Sequence, residues 1–186
     1  SHRWPKTVSF FGNGINDTGN NPTKHCYDYG LINQEAFQNE LLKKCKGIQW
    51  LNETAKLIKS KNKISEVICF SGLTLKARLV IDASGHKSKF VKRPLLKEVA
   101  QQAAYGIVGK FSTPPVNKDQ FVLMDFRSDH LNAEELLASP SFLYAMDLGS
   151  GTYFVEETSL ASYPAFSKDH LKKRLLSRLN NKGIKV

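Results

Sequence analysis

The stretch that decides the fold runs from residue 142 to residue 158 and reads FLYAMDLGSGTYFVEET. Two runs rich in aromatic and β-branched residues flank the turn signal Gly149-Ser150-Gly151, and two similar runs precede them in the chain. The four runs are residues 103–111, 121–126, 142–146 and 152–158. Together they predict a mostly antiparallel sheet in the second half of the chain.

After this sheet, the pattern predicts a closing helix. Ser167 is placed to cap it, leucines recur at helical spacing from Leu171 to Leu179, and Gly183 ends it. Its basic residues are Lys172, Lys173, Arg174 and Arg178. Beyond the helix, the apolar residues at 184 and 186 suggest the start of another strand.

Before the sheet, the chain predicts a helix followed by a meander of short strands. Asn33 is placed to cap the helix, and apolar residues recur at helical spacing from Phe37 to Cys45. Four short apolar or β-branched runs separated by turn signals then follow. They are residues 48–51, 56–59, 67–70 and 73–83.

The end of the meander reads Leu79-Val80-Ile81-Asp82-Ala83-Ser84-Gly85. A nearly continuous apolar run of this kind is typical of a strand buried on both faces. Ligands of open α/β sheets bind at the carboxyl ends of such strands, which makes the turn that follows a candidate cofactor contact. The alternative is an ordinary strand end followed by a glycine turn.

The first thirty residues are rich in glycine and asparagine and predict a loop with one strand at residues 8–11. Residues 12–17 read GNGIND and imitate the glycine-rich fingerprint of dinucleotide-binding proteins. Asp17 stands where the third glycine belongs, and no helix pattern follows. We therefore interpret this match as chance.

Charge, cysteines and hydropathy narrow the functional classes. The net charge is +10, but the basic stretches 56–63 and 87–93 carry almost no aromatic residues for base stacking. We therefore expect a solvated face or attraction to anionic lipid headgroups, not a nucleic-acid partner.

The three cysteines show no metal-ligand spacing, and we expect no metal site. No apolar run approaches the roughly 20 residues that a membrane-spanning helix needs.

Several motifs of this sequence resemble those of plant and algal lycopene cyclases. They are Tyr29-Gly30, Ile81-Asp82-Ala83-Ser84-Gly85, Ala104-Tyr105-Gly106-Ile107, Met124-Asp125-Phe126-Arg127, Phe142-Leu143-Tyr144-Ala145-Met146 and Phe154-Val155-Glu156-Glu157-Thr158-Ser159-Leu160. Their order and spacing also match, from about residue 27 to the end. The most specific feature is the Phe-Leu-Tyr-Ala-Met block followed shortly by the Glu-Glu-Thr block.

The resemblance implies an α/β (α+β) fold, part of a Rossmann-like FAD/NAD(P)-binding flavoprotein with an antiparallel substrate-domain sheet. It assigns residues 1–100 to part of the FAD-binding domain and residues 101–186 to part of the substrate-binding domain. We expect the chain to be an internal piece of such a protein. The resemblance also implies reduced FAD with NADPH as electron source, lycopene or a related carotenoid as substrate, and a plastid location peripheral to the membrane.

Cyclising lycopene requires protonation of a terminal alkene, ring closure by the resulting cation and loss of a proton. A carboxylic acid can supply the first proton if apolar surroundings raise its pKa and keep it neutral. Glu156 and Glu157 are the candidates, and in a regular strand only one of them can enter the substrate cavity. The resemblance assigns this role to Glu156, on the strand face of Phe154 and Thr158.

Other residues are candidates for stabilising the cation and holding the cofactor. Aromatic faces and a reduced flavin both stabilise a cation, and the aromatic candidates are Tyr105, Phe126, Tyr144 and Phe154. Asp125 and Arg127 are predicted to pair, either as a structural clamp, as a pair that tunes the flavin, or as a surface ion pair. The candidates for contact with the flavin nucleotide are Asp82, Ala83, Ser84 and Gly85.

Three functions remain open on the sequence. The first is a lycopene cyclase, which resembles the β-ring branch more than the ε-ring branch. The second is a related carotenoid flavoenzyme, such as a neoxanthin or ketocarotenoid synthase, because one fold can carry several chemistries. The third is a non-catalytic basic module that binds membrane lipid or nucleic acid, and its signature would be salt-sensitive binding.

Overall fold

The structure is a computed structural model that describes residues 2–11, 19–85, 88–94 and 98–186. The chain divides into two compact units, one of Ser1–Gln38 with Glu98–Val186 and one of Asn39–Lys97. Residues 1–38, which the sequence analysis groups with the first domain, thus belong to the unit of the C-terminal half, because a strand near the N-terminus joins its sheet. Residues 12–17 lie outside the described residues.

Strands and helices are both present in the described residues, which confirms the mixed α+β class. The strands are β1 (His2–Trp4), β2 (Lys6–Phe10), β3 (Thr23–Lys24), β4 (Tyr29–Leu31), β5 (Ala55–Lys61), β6 (Ile64–Cys69), β7 (Thr74–Ala77), β8 (Ala104–Gly109), β9 (Gln120–Asp125), β10 (Ser141–Gly149) and β11 (Thr152–Ser159). The helices are α1 (Gln34–Lys44), α2 (Ala133–Leu137) and α3 (Lys168–Asn181).

The larger unit contains one six-stranded sheet in the order β3-β2-β9-β10-β11-β8. Every neighbouring pair is antiparallel except β2 and β9, which run parallel. At the turn between β10 and β11, Gly149, Ser150 and Gly151 all have positive φ, a conformation that glycine adopts without steric cost. The predicted mostly antiparallel sheet is therefore confirmed.

Helix α3 packs on one face of this sheet, which we call the helix face. Leu143, Ala145 and Val155 from the sheet join Leu175 and Leu179 from the helix in one buried core. Removing apolar side chains from water contributes about 25 cal/mol per Å² of buried surface, and this term holds the helix on the sheet.

The predicted ends of α3 are confirmed. The Ser167 hydroxyl accepts a hydrogen bond from the backbone N–H of His170 at 3.2 Å, and Gly183 has a φ of +67° just after the helix. The strand expected to start at Ile184 is absent from the structure of residues 184–186. Ile184 is instead buried in the core beside α3, and this contact explains its apolar character.

The opposite face of the sheet carries aromatic side chains, and we call it the aromatic face. Phe142 and Tyr144 project from β10, and Phe121 projects from β9. A separate two-stranded sheet of β1 and β4 supplies Trp4 and Tyr29, whose rings pack on Phe121.

The smaller unit contains an antiparallel sheet in the order β5-β6-β7, with positive φ at Asn62 and Lys63 in its first turn. The predicted meander is confirmed for these three strands. The run predicted at residues 48–51 forms no strand, and the last predicted run, residues 73–83, is a strand only over β7, because residues 79–83 form none. Leu79 and Ile81, expected to be buried on both faces, are 74% and 79% exposed. A strand needs a hydrogen-bonded neighbour, and no strand of the described chain pairs with this segment.

Helix α1 begins as predicted, since the Asn33 side-chain oxygen accepts a hydrogen bond from the backbone N–H of Ala36 at 2.9 Å. Its apolar residues, such as Phe37 and Leu41, are exposed. Helix α2 was not predicted from the sequence; it is a single turn that begins with a reciprocal capping box between Asn132 and Glu135.

Candidate active site

The pairing of the central strands divides the candidate residues between the two faces of the sheet. Glu156 lies opposite Tyr144 on one side and Gly106 on the other, whereas Glu157 lies opposite Leu143 and Tyr105. Directly paired residues share a face, and successive residues alternate between faces. Glu156 is therefore on the aromatic face and Glu157 on the helix face.

Glu156 is half-buried and makes one described hydrogen bond, in which the Thr158 hydroxyl donates to its Oε1 at 2.9 Å. The β10–β11 and β8–β11 registers are continuous through residues 156 and 157, so no bulge reorients either glutamate. Burial raises the pKa of Tyr144, and the nearby Tyr29 and Glu156 raise it further. Tyr144 is thus a neutral neighbour of the Glu156 carboxyl group.

A continuous series of rings, which we call the aromatic row, crosses the aromatic face. In order, it consists of Trp4, Phe121, Tyr144, Phe142 and Phe126, with successive ring centroids 5.8, 6.0, 5.0 and 5.0 Å apart. These separations lie in the range of favourable aromatic pairs. The row passes directly beside Glu156, because Tyr144 is its cross-strand partner.

Glu157 lies at the centre of a buried polar network between β11 and α3. Its side chain is fully buried, and Arg178 donates to both carboxylate oxygens, from Nε at 2.8 Å and from Nη2 at 2.9 Å. The Ser141 hydroxyl donates to Oε1 at 2.6 Å and accepts from Arg174 at 2.9 Å. The Glu157 side chain is thus held in place by several hydrogen-bond donors.

Asp125 and Arg127 pair as predicted, but the surface ion pair considered as one alternative is wrong. The Asp125 side chain is 1% exposed and accepts from Arg127 Nε at 2.9 Å, with Lys182 Nζ 3.5 Å away. Burial alone would raise the pKa of Asp125, but the Arg127 hydrogen bond and the charges of Lys182, Arg127 and Arg178 lower it below its ordinary value. The pair is on the helix face, since Asp125 lies opposite Leu143.

His130 lies next to this network. Burial lowers its pKa from 6.5 to about 4, and the charge of Arg178 contributes in the same direction. The imidazole is therefore neutral at physiological pH. Among the described residues, no cluster of three or more histidine, cysteine, aspartate or glutamate side chains could hold a metal ion.

In the smaller unit, the Asp82 carboxylate organises its own loop. The backbone N–H and the hydroxyl of Ser84 donate to Asp82 Oδ1 at 3.0 and 2.6 Å, and the Ser88 hydroxyl donates to Oδ2. The hydrogen bonds from Ser84 and Ser88 lower the pKa of Asp82. Gly85 follows with a φ of +86° and open space where a side chain would be.

A sequence model of the family described as lycopene cyclase protein matches residues 1–186. The chain belongs to the lycopene cyclase family. This assignment confirms the resemblance read from the motifs.

Three relatives illustrate how this member of the family compares with curated proteins. A lycopene beta cyclase from Synechococcus elongatus is 48% identical over 187 residues, which cover 100% of the chain and 44% of the relative. A capsanthin/capsorubin synthase from Citrus sinensis is 35% identical over 98% of the chain and 37% of the relative. A neoxanthin synthase from Solanum lycopersicum is 34% identical over 100% of the chain and 37% of the relative. The chain spans less than half the length of each, and no solved structure matches it significantly.

Two arginines of this chain were missed as site residues. Arg174 and Arg178 are 1% and 2% exposed, although the sequence analysis considered them only as basic residues of the closing helix. A signal was present, because both occur at helical spacing on the same face as Leu171, Leu175 and Leu179. A charged residue within an apolar stripe indicates a buried partner, which here is Glu157 for Arg178.

Proposed function

We propose that the complete protein cyclises the end groups of lycopene and that Glu156 donates the initiating proton. The observation that carries this proposal is the location of Glu156 beside the aromatic row, with the adjacent Glu157 buried on the other face. Sequence similarity to the lycopene beta cyclase of Synechococcus elongatus supports the choice of substrate.

The different surroundings of the two glutamates support the assignment of the acid. Glu157 accepts two hydrogen bonds from Arg178 and one from Ser141, so its carboxylate oxygens are engaged by donors and lie on the helix face, away from the aromatic row. Glu156 accepts one described bond, from the neutral hydroxyl of Thr158, and stands among aromatic side chains. An apolar substrate that covers this face would favour the neutral acid.

The aromatic residues around Glu156 would stabilise the cation that protonation creates. Tyr144 lies directly opposite Glu156, Phe154 is two residues away on the same strand face, and Phe126 is in the aromatic row. The faces of such rings attract positive charge. Tyr105 was also a candidate for this role, but it pairs with Glu157 on the helix face and is therefore not part of the set.

We propose that reduced FAD is the cofactor and that the loop 82–85 contacts its nucleotide. When bound, the reduced flavin supplies electron density that stabilises a nearby cation without net redox change, and NADPH supplies the electrons. The residues present fit a contact through the backbone, because the space above Gly85 is open. The Asp82 carboxylate is already occupied by Ser84 and Ser88. On this proposal, the smaller unit is part of a Rossmann-like FAD-binding domain.

For location, we propose a plastid protein that associates peripherally with membranes. Relatives from Nicotiana tabacum and Solanum lycopersicum are named chloroplastic lycopene beta cyclases, which supports the plastid. The net charge of +10 favours attraction to anionic lipid headgroups. In the part of the chain that the structure describes, no helix is both long and apolar enough to cross a membrane.

A second candidate function is the conversion of another carotenoid. It is favoured by the similarity to a neoxanthin synthase and a capsanthin/capsorubin synthase, at 34% and 35% identity. One fold can carry several chemistries, so the fold does not separate the two candidate functions.

Pigment analysis of lycopene-accumulating cells that express the complete protein tests the proposal. We expect conversion of lycopene to β-ring products with the wild type and with Glu134→Gln, a control at an exposed helix residue. Glu156→Gln is expected to leave lycopene unconverted. Unchanged lycopene with a soluble, flavin-loaded wild type would refute the cyclase proposal, and conversion of an added xanthophyll in its place would favour the second candidate.

A further inference from the structure

The backbone of Gly106 lies unusually close to side chains of β11, the strand that carries the proposed acid Glu156. Gly106 on β8 is the direct cross-strand partner of Glu156 on β11. A Cβ atom at position 106 would lie 2.8 Å from Cε2 and 3.2 Å from Cζ of Phe154, and 3.3 Å from Cβ of Glu156. Cβ atoms in proteins essentially never come within 3.0 Å of another heavy atom in this way, so any side chain at position 106 would displace the Phe154 ring.

The ring of Phe154 leans along the sheet toward Glu156. Its own cross-strand partner is Val108, yet its outer edge reaches the space above Gly106, the partner of Glu156. The φ of Gly106 is not positive, so the backbone conformation does not require glycine at this position. Glycine is instead needed at position 106 because the Phe154 ring occupies the space that a side chain would take.

We propose that Gly106 is a positioning residue, which sets the location of the Phe154 ring beside the Glu156 carboxyl group. This inference rests on the proposed role of Glu156 as the acid. The end group of the substrate has to contact the acid and an aromatic face together, because the cation forms where the proton is delivered. The Phe154 ring over Gly106 supplies such a face next to Glu156.

The size of the expected effect follows from the geometry. To restore an ordinary contact, the Phe154 ring edge has to retreat from 2.8 Å to at least 3.4 Å, and Glu156 has to shift slightly as well. Displacements of this order matter in active sites, where a misplacement of about 1 Å can reduce the rate about 100-fold. Gly106 itself is exposed, so the substitution leaves the core intact.

The test compares Gly106→Ala with Gly109→Ala in the complete, flavin-loaded protein, with lycopene as substrate. Gly109 is on the same strand, and a Cβ atom there would meet nothing within 4 Å. We expect Gly106→Ala to lower kcat about tenfold or more with a smaller change in KM, since a near-attack geometry is lost. Gly109→Ala is expected to keep kcat within about twofold of the wild type.

The same pair of measurements in a Phe154→Leu background shows whether Gly106 acts through the ring. Leucine lacks the Cε2 and Cζ atoms, so adding Gly106→Ala is expected to change kcat by less than about twofold there. Equal losses in both backgrounds, equal losses at positions 106 and 109, or full activity of Gly106→Ala would each overturn the inference. If Gly106→Ala alone misfolds, the double variant is expected to fold, and its failure would also overturn it. An inactive wild type would instead refute the proposed function.

Discussion

Replacing Arg178 with methionine is expected to destabilise the complete protein strongly. Arg178 is 2% exposed and donates to Glu157 at 2.8 and 2.9 Å and to the backbone oxygen of Arg127 at 2.7 Å. The variant Arg178→Met leaves the fully buried Glu157 carboxylate without its cation. Removing one partner of a buried ion pair costs about 3–5 kcal/mol, and we expect the free energy of unfolding to fall by that amount.

Urea unfolding at pH 7 measures this loss, with Lys173→Met as the matched control. Lys173 pairs with Glu135 at 3.1 Å, but its side chain is 73% exposed, so its loss is expected to cost less than about 1 kcal/mol. The double variant Arg178→Met/Glu157→Leu removes both charges and is expected to recover much of the loss, because a buried apolar pair has no desolvation cost. Equal effects of Arg178→Met and Lys173→Met, or no recovery in the double variant, would refute this reasoning.

Three further predictions concern pH and the two glutamates. The pKa of Asp125 is held below its ordinary value of 3.8, so the ionised side chain stabilises the fold above that value and this contribution is lost as the pH falls below it. In urea titrations, the free energy of unfolding of Asp125→Asn should therefore fall less steeply with decreasing pH than that of the wild type. Because the pKa of His130 is lowered from 6.5 to about 4, the unfolded chain binds more protons between these values and stability falls as pH drops through them. His130→Leu should remove that slope, and an unchanged slope would contradict the neutral buried imidazole. Glu157→Gln is expected to reduce lycopene turnover less than Glu156→Gln, and equal losses would contradict the assignment of the two faces.

Local chemistry explains why much of the fold could be predicted from the sequence. Some features depend only on residues that are close together in the sequence. They are the caps at Asn33 and Ser167, the turn at residues 149–151 and the apolar periodicity of α3. The same holds for the separation of Glu156 from Glu157, since alternation along a regular strand places neighbours on opposite faces.

Features that depend on distant partners were harder to predict. The face of Tyr105 is decided by the register of β8 on β11, and the burial of Arg174 and Arg178 by acceptors more than twenty residues away in the chain. The segment 79–83 has the composition of a buried strand, but composition supplies no neighbouring strand. Periodicity therefore predicts which residues lie on the same face of a strand or helix, but not which residues they contact.

The most direct test of the central claim is the rate of lycopene cyclisation by the purified, flavin-loaded complete protein with Glu156→Gln. Glutamine keeps the shape of the side chain and removes the proton, and general acid catalysis typically contributes about 100-fold or more to a rate. We predict at least that loss, with the flavin absorbance and the unfolding transition unchanged. A rate within about threefold of the wild type would contradict the role of Glu156 as the acid.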